Sequence, residues 1–155
     1  MTEFRTSKEA LDKCNIKGQI LPLAEIDVEQ IRAMVEFADG DVQSAEKLMK
    51  GLDDKSMIWN NVYTSYYDAL HKLADSFIKF DRITSLNHIC LFAYLCEKHP
   101  ELELDWNFFE QIRTKRNGIQ YYGKKTGKEA FMKIQVQIKL YINLLKRSIK
   151  EKIKE

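Results

Sequence analysis

Apolar residues recur at helical spacing along most of this chain, beginning just after Asp27. Over the first long stretch they follow steps of three and four for about six turns, which is the pattern of an amphipathic helix. The carboxylate of Asp27 is suited to accept hydrogen bonds from the first turn, and the sequence GLDDKS ends the pattern. The stripe consists of Val28, Ile31, Val35, Ala38, Val42, Ala45 and Met49.

A second long helix is predicted from about Ser56, and it carries two apolar rows rather than one. Two neighbouring rows indicate that the helix contacts other elements on more than one side, so we expect it at the centre of the fold. The first row is Trp59, Tyr63, Tyr66, Leu70, Leu73, Phe77 and Phe80, and the second is Tyr67, His71, Ala74 and Ile78.

Three shorter or later stretches also have helical periodicity. The first covers residues 84–98 and ends before Pro100, because proline disfavours helical backbone in the residue that precedes it. The second follows Asp105 as its N-cap and ends at Gly118 or Gly123, and the third runs from about residue 128 to the end. Strand-like alternation is not sustained anywhere, so the sequence predicts an all-α, up-and-down bundle of four to five helices.

The domain organisation follows from where this periodicity begins. Residues 1–26 are predicted to be a short N-terminal arm with a possible turn of helix from Ser7 to Cys14, and residues 27–155 are predicted to be the bundle. The arm has no apolar core of the secretory type, and no apolar run is long enough to cross a bilayer, so we expect a cytoplasmic protein with no membrane partner.

Cysteine usage is consistent with that expectation. The chain has three cysteines, Cys14, Cys90 and Cys96, with no CxxC pair. Their number and surroundings predict buried thiols rather than a metal site, because zinc needs four convergent ligands. No metal or other cofactor is predicted.

Charge is distributed unevenly along the chain. Residues 124–155 hold ten Lys or Arg and three Glu, for a net charge of +7, whereas the first 123 residues have a net charge of −5. A basic end on an acidic body suggests a polyanionic or acidic partner, although a solvated helix face would give the same pattern.

The segment IRTKRNGIQYYGKKTGK, residues 112–128, concentrates that basic character without a single acidic residue. Arg113 and Arg116 are three residues apart and project from one helix face. A guanidinium is a planar fork for phosphate oxygens, and tyrosines can stack on bases. The alternative makes Arg116 a helix-terminal cation and the tyrosines core aromatics. Candidate ligand-binding residues here are Arg113, Lys115, Tyr122, Lys124 and Lys125.

His71 is a further candidate, because it lies amid the apolar rows of the predicted central helix. It is either a hydrogen-bonded core residue or a group with a chemical role. Familiar catalytic motifs such as a Walker loop, a nucleophile elbow or HExxH are absent from the sequence, so catalysis would have to use Arg, Tyr, His or Asn.

Two segments give the chain a resemblance to a HEPN domain, a small nucleotide-binding and ribonuclease-like helical bundle. NNVYTSYYDALHKLADSFI is similar to the aromatic second helix of that family, and IRTKRNGIQYYG resembles its polar signature. The order of long, aromatic, short and basic last helices also agrees, and the resemblance covers roughly residues 27–155. It implies a bundle that commonly forms homodimers, with the signatures of both subunits facing one cleft.

The resemblance implies specific roles for three residues. In active members an Arg and a His orient and protonate RNA during metal-independent cleavage at the ribose 2′-hydroxyl. Here the Arg is Arg116, its polar neighbour is Asn117, and the position of the His is occupied by Tyr121. Tyrosine ordinarily has a pKa near 10 and is a poor base at neutral pH, so the resemblance leaves catalysis open.

Three functions are therefore compatible with the sequence. The first is a protein that binds RNA or a nucleotide through the basic turn, as a ribonuclease-like member of a toxin–antitoxin or defence system. The alternative is a non-catalytic helical binding module that partners a small nucleotidyltransferase, with Tyr121 or Tyr122 as acceptor. The third is a structural protein whose basic turn is solvated.

Overall fold

A computed structural model describes residues 4–154 and confirms the all-α class. In this part of the chain six helices are joined by short connections, and two three-residue strands form the only sheet. No helix in this range is long and apolar enough to cross a membrane. The elements are α1 (Ser7–Ile16), β1 (Ile20–Pro22), α2 (Val28–Met49), α3 (Ile58–Ile78), β2 (Ile83–Ser85), α4 (His88–Lys98), α5 (Trp106–Tyr122) and α6 (Lys128–Lys154).

Helix α3 is the centre of the molecule, as its two apolar rows predict. It packs against α2, α4, α5 and α6, and both predicted rows supply fully buried side chains, including Tyr63, Tyr66 and Tyr67. Helix α2 lies along α3 and buries a narrower seam at Ile31 and Ala38. The wide apolar surface of α3 therefore organises the core and sets where α4 and α5 can lie.

The predicted capping residues are confirmed and fix where the helices begin. The side chains of Asp27 and Asp105 accept hydrogen bonds from the backbone N–H groups of Gln30 and Asn107. Of the two glycines that could end α5, Gly123 does so, with φ of +61° in the left-handed region that glycine adopts without strain. Helix α5 therefore includes Arg113, Arg116 and both tyrosines of the signature.

The segment predicted as an arm is packed into the fold from Phe4 onward. The possible turn of helix is the ten-residue helix α1, which lies against α4. Strand β1 pairs antiparallel with β2, with Leu21 opposite Thr84, and the indole N–H of Trp106 donates to the carbonyl of Phe4. Three-residue strands are too short to leave a readable alternation in the sequence.

The prediction of three buried thiols is wrong for two of them. Cys14 of α1 and Cys90 of α4 form a disulfide, and Cys96 is the free cysteine among the described residues. The sequence gives no sign of this pairing, because the two residues are 76 positions apart and become neighbours only when α1 lies on α4. Burial raises the pKa of the Cys96 thiol to about 12, so this cysteine stays protonated.

Candidate functional site

Arg116 of α5 points back toward the central helix and lies between two tyrosines. Its guanidinium carbon is 5.4 Å from the ring centroid of Tyr67 on α3 and 5.9 Å from that of Tyr121. Its Nη1 donates to Oδ1 of Asn117 over 3.4 Å, and its Nε is buried without a hydrogen-bond partner among residues 4–154. Arg116 is thus held by aromatic faces while part of its donor capacity is unused.

A pocket of about 210 Å³ opens at this point, between the start of α4 and the middle of α5. We call it the arginine pocket. Three of the predicted residues that the HEPN resemblance singles out line it together, since Arg116, Asn117 and Tyr121 all face this side of α5. The full lining is Asn87, His88, Ile89, Arg113, Arg116, Asn117 and Tyr121.

Two histidines meet beside Arg116. The imidazole centroids of His71 on α3 and His88 on α4 are 3.9 Å apart, and the hydroxyl of Tyr67 is 2.7 Å from Nδ1 of His88. Asn87 caps α4 by accepting from the N–H of Cys90, which places His88 at the first helical position. The structure therefore brings His71 and its neighbour Tyr67 close to the signature and adds His88, which the sequence did not single out for this site.

Burial and positive charge keep both histidines neutral at physiological pH. Burial lowers the pKa of His71 to about 4, with Arg116 and Lys72 adding to the effect. Burial also lowers the pKa of His88 to about 4, helped by His71, Arg116 and Arg113. Burial raises the pKa of Tyr67 well above its usual range, although Arg116 and Arg113 oppose the shift, so its hydroxyl keeps its proton. The site thus holds two neutral imidazoles next to a guanidinium.

Arg113 has a structural partner as well as a place in the pocket. Its Nε and Nη2 each donate to one carboxylate oxygen of Glu110 at 2.9 Å, and the Glu110 side chain is fully buried. A bidentate pair of this kind fixes the guanidinium, and removing one partner would leave an uncompensated buried charge. Loss of Arg113 would therefore affect stability as well as any ligand.

The lysines predicted for the same site lie elsewhere. Lys115, Lys124 and Lys125 line a larger pocket of about 780 Å³ between α5, the connection that follows it and the start of α6. We call this the lysine pocket. It shares no lining residue with the arginine pocket, so helix α5 separates the basic segment into two surfaces.

The two tyrosines of the signature differ in their surroundings. Tyr121 is 68 % exposed and lines the arginine pocket, whereas Tyr122 is 78 % exposed and lines neither pocket. Both hydroxyls are accessible from solvent, so neither tyrosine belongs to the core. The aromatic-core alternative for this pair is wrong.

Within residues 4–154 no group of three or more His, Cys, Asp or Glu side chains is placed to hold a metal ion. Comparison with protein-family models, with curated proteins and with solved structures finds no match to this chain. The functional argument therefore rests on the residues of the two pockets.

Proposed function

We propose that this protein is a HEPN-like, RNA-binding protein that cleaves RNA in the arginine pocket without a metal ion. The observation that carries the proposal is the convergence of the half-buried Arg116 and the neutral His88 at one open pocket. The Arg116 Nε has no hydrogen-bond partner among the described residues, and the ring of His71 lies 3.9 Å from that of His88. A phosphodiester that enters the pocket would meet a positively charged fork and imidazole nitrogens in one place. We place the protein in a toxin–antitoxin or defence role in the cytoplasm.

His88 takes the part that the missing histidine of the signature would have. We assign His88 the tautomer that carries its proton on Nδ1 and donates it to the Tyr67 hydroxyl oxygen, 2.7 Å away. In this tautomer the Nε2 lone pair accepts the proton of a ribose 2′-hydroxyl. The 2′-oxygen then bonds to phosphorus while the bond from phosphorus to the 5′-oxygen breaks. Tyr121 gives its proton to the leaving oxygen and regains one from solvent, and His88 releases to solvent the proton that it took from the 2′-hydroxyl. The products are a 2′,3′-cyclic phosphate and a 5′-hydroxyl end.

Arg116 stabilises the charge that builds on the phosphoryl oxygens in this step. Its position between Tyr67 and Tyr121 restricts its motion, so little reorganisation is needed when the charge develops. Removing one preorganised donor of this kind ordinarily costs about 10²–10³ in rate.

The proposal is tested by cleavage of end-labelled single-stranded RNA in the presence of EDTA. We expect wild type to cut, Arg116→Ala and His88→Gln to lose about a hundredfold or more in rate, and Arg32→Ala to behave as wild type. Arg32 is a matched control because it is an exposed arginine on α2 that lines neither pocket. Thermal melting of each variant checks its fold. Equal cleavage by wild type and a folded Arg116→Ala would contradict the proposal.

The exposure of Tyr121 and Tyr122 favours one second candidate function, a non-catalytic module that a partner nucleotidyltransferase modifies. A hydroxyl that is to receive a nucleotidyl group must be accessible, and Tyr122 is the more exposed of the two. Mass spectrometry of the protein co-expressed with a nucleotidyltransferase from an adjacent gene would show the added mass in wild type and its loss in Tyr122→Phe. An unmodified wild-type protein would exclude this candidate for that partner.

A homodimer forms part of the proposal, since the HEPN resemblance predicts two signatures that face one cleft. Light scattering coupled to gel filtration should then give twice the chain mass of 18.3 kDa. A monomer at micromolar concentration would remove this part of the proposal and leave the single-chain pocket as the site.

A further inference from the structure

The lysine pocket has the size and two-sided character of a ligand site. Its volume of about 780 Å³ falls within the range of small-molecule and cofactor pockets, about 300–1,000 Å³. Apolar side chains from α3, α5 and α6 contribute one part of the lining, namely Tyr63, Ile119, Ala130 and Ile134. Such a surface suits a planar or aliphatic group.

Four lysines from three elements make the other part of the lining positive. Lys115 comes from α5, Lys124 and Lys125 from the connection, and Lys133 from α6. The two acids in the lining offset this charge only partly. Glu110 is neutralised by Arg113, and the exposed Glu129, 3.6 Å from Lys133, offsets one of the four lysines. The field in the pocket therefore favours an anion.

One buried side chain makes two hydrogen bonds to the connection that forms one wall. Asn60 of α3 donates from Nδ2 to the carbonyl of Lys124 at 3.1 Å and accepts at Oδ1 from the N–H of Thr126 at 2.7 Å. The hydroxyl oxygen of Thr126 is buried without a hydrogen-bond partner among the described residues. A wall fixed before the ligand arrives lowers the ordering cost of binding.

We propose that the lysine pocket is a second binding site, which takes one nucleotide unit. The lysines hold its phosphate, and its base or ribose lies against Ile119, Ala130 and Ile134. Two ligands supply such a unit: a free mononucleotide, or a nucleotide of the RNA strand that occupies the arginine pocket. In the second case the inference rests on the proposed function.

A strand can reach both pockets because only helix α5 lies between them. A helix with its side chains is about 10–12 Å across, which is the span of a few nucleotides of an extended strand. Gly118 lines the lysine pocket, and the preceding residue, Asn117, lines the arginine pocket. Because Gly118 has no side chain, it does not obstruct a strand that passes over α5 from one pocket to the other. A β-carbon at Gly118 would lie 3.3 Å from the Lys124 side chain.

The test measures equilibrium binding of adenosine 5′-monophosphate and of a short single-stranded oligoribonucleotide with a non-cleavable 2′-O-methyl backbone. Lys115→Gln/Lys133→Gln removes two pocket charges, and Lys47→Gln/Lys98→Gln removes two exposed charges that line neither pocket. Ala130→Leu fills the apolar side without changing charge. Arg116→Ala reports on the arginine pocket alone, and circular dichroism with thermal melting confirms that each variant is folded.

We expect Lys115→Gln/Lys133→Gln to bind at least one of the ligands about tenfold more weakly than the charge control does. For the oligonucleotide, we also expect the slope of log K against log salt concentration to decrease in magnitude by about one to two. Ala130→Leu should weaken binding of the same ligand. If Lys115→Gln/Lys133→Gln weakens binding of the oligonucleotide alone, the ligand is the RNA strand. If it weakens binding of the mononucleotide and Arg116→Ala does not, the ligand is a free nucleotide.

Two outcomes separate this inference from the proposed function. If Lys115→Gln/Lys133→Gln binds both ligands as the charge control does, the lysine pocket is not a nucleotide site and the inference is overturned. If instead Arg116→Ala binds the oligonucleotide as wild type does while the lysine variant does not, the lysine pocket is supported and the arginine-pocket proposal fails.

Discussion

Burial sets the charge of the two histidines that face Arg116. The ring centroids of His71 and His88 are 3.9 Å apart with a guanidinium nearby, and burial lowers the pKa of each to about 4. A proton on either ring would be poorly solvated and would repel Arg116. The pair is therefore a neutral donor and acceptor surface at pH 7, and an anion placed beside it would make protonation easier.

The same burial predicts how stability depends on pH. An unfolded histidine has a pKa near 6.5, so between about pH 6.5 and pH 4 the unfolded chain binds protons that the folded chain excludes. Stability is then highest above pH 6.5 and falls as the pH drops toward 4. For His71 we expect a loss of about 1–2 kcal/mol between pH 7 and pH 5. Urea unfolding of wild type and His71→Gln at both pH values measures it.

The comparison of pH 8 with pH 7 serves as the control, since His71 is neutral in the folded state and mostly neutral in the unfolded state there. An equal fall in unfolding free energy from pH 7 to pH 5 for wild type and His71→Gln would show that this histidine is not excluded from protonation in the folded protein.

Among single residues, the sequence anticipated those that are neighbours on one helix. Arg116, Asn117 and Tyr121 share a pocket because helical spacing places them on one side of α5, and that spacing is visible in the sequence. His88 comes from another helix, and its place depends on how α4 crosses α3 and on the Asn87 cap. The signal available beforehand was only a histidine directly after an asparagine at a helix start.

At the scale of elements, α5 separates two pockets that differ in the side chains that line them. The arginine pocket on one side is lined by two arginines, a histidine and a tyrosine, and the lysine pocket on the other is lined by lysines and apolar side chains. The sequence predicted one continuous basic site, because a linear segment gives no indication of which lysines turn away after the left-handed Gly123. The path of the connection after Gly123 depends on Asn60 of α3, which is hydrogen-bonded to it but distant in the sequence.

Removal of the Asn60 side chain should release the connection between α5 and α6. Asn60→Ala leaves the carbonyl of Lys124 and the N–H of Thr126 without their protein partner, and we expect a loss of about 1–3 kcal/mol in unfolding free energy. Amide hydrogen exchange at Thr126 should become faster by at least tenfold. Asn61→Ala, next to it but exposed, is the control. Unchanged exchange at Thr126 in Asn60→Ala would mean that other contacts hold this connection.

The helical elements themselves were largely predictable. Apolar stripes and the N-caps Asp27 and Asp105 are local features, so they identify α2, α3 and α5 without knowledge of the tertiary structure. Strands β1 and β2 are stable only as a pair, and each is too short to show its period. Their prediction would have required knowing that residues 20–22 lie beside residues 83–85.

On the scale of the whole molecule, the described part of the segment before Asp27 is joined to the bundle at several separate places. Helix α1 packs on α4, β1 pairs with β2, and the disulfide links Cys14 to Cys90. Sequence patterns did not predict these attachments, because the residues that make them are distant in the chain. Their removal would uncover apolar surface of α4 and leave one edge of β2 unpaired.

The disulfide should make stability depend on redox conditions. It closes a loop of 76 residues, and reduction of such a bond ordinarily lowers the unfolding free energy by about 2–5 kcal/mol. Urea unfolding with and without dithiothreitol measures the difference, and Cys14→Ser/Cys90→Ser should be insensitive to the reductant. Cys96→Ser should retain the full difference. Cytosolic thiol systems keep most such pairs reduced, so the value also indicates how stable the chain would be there.

Identical unfolding midpoints for oxidised and reduced wild type would show that the disulfide adds nothing to stability beyond the packing of α1 on α4. Free-thiol titration of the purified protein in denaturant gives the number of oxidised cysteines and completes the experiment.

The placement of α1 also has a consequence for synthesis. A ribosome makes α1 before α4, and Cys90 follows Cys14 by 76 residues, which at about 5–20 residues per second is a delay of about 4–15 seconds. During that interval Leu11 and the Cys14 thiol have none of the α4 surface that later covers them. Until α4 has left the ribosome, the apolar face of α1 is therefore open to chaperones and its thiol is open to reaction with other thiols.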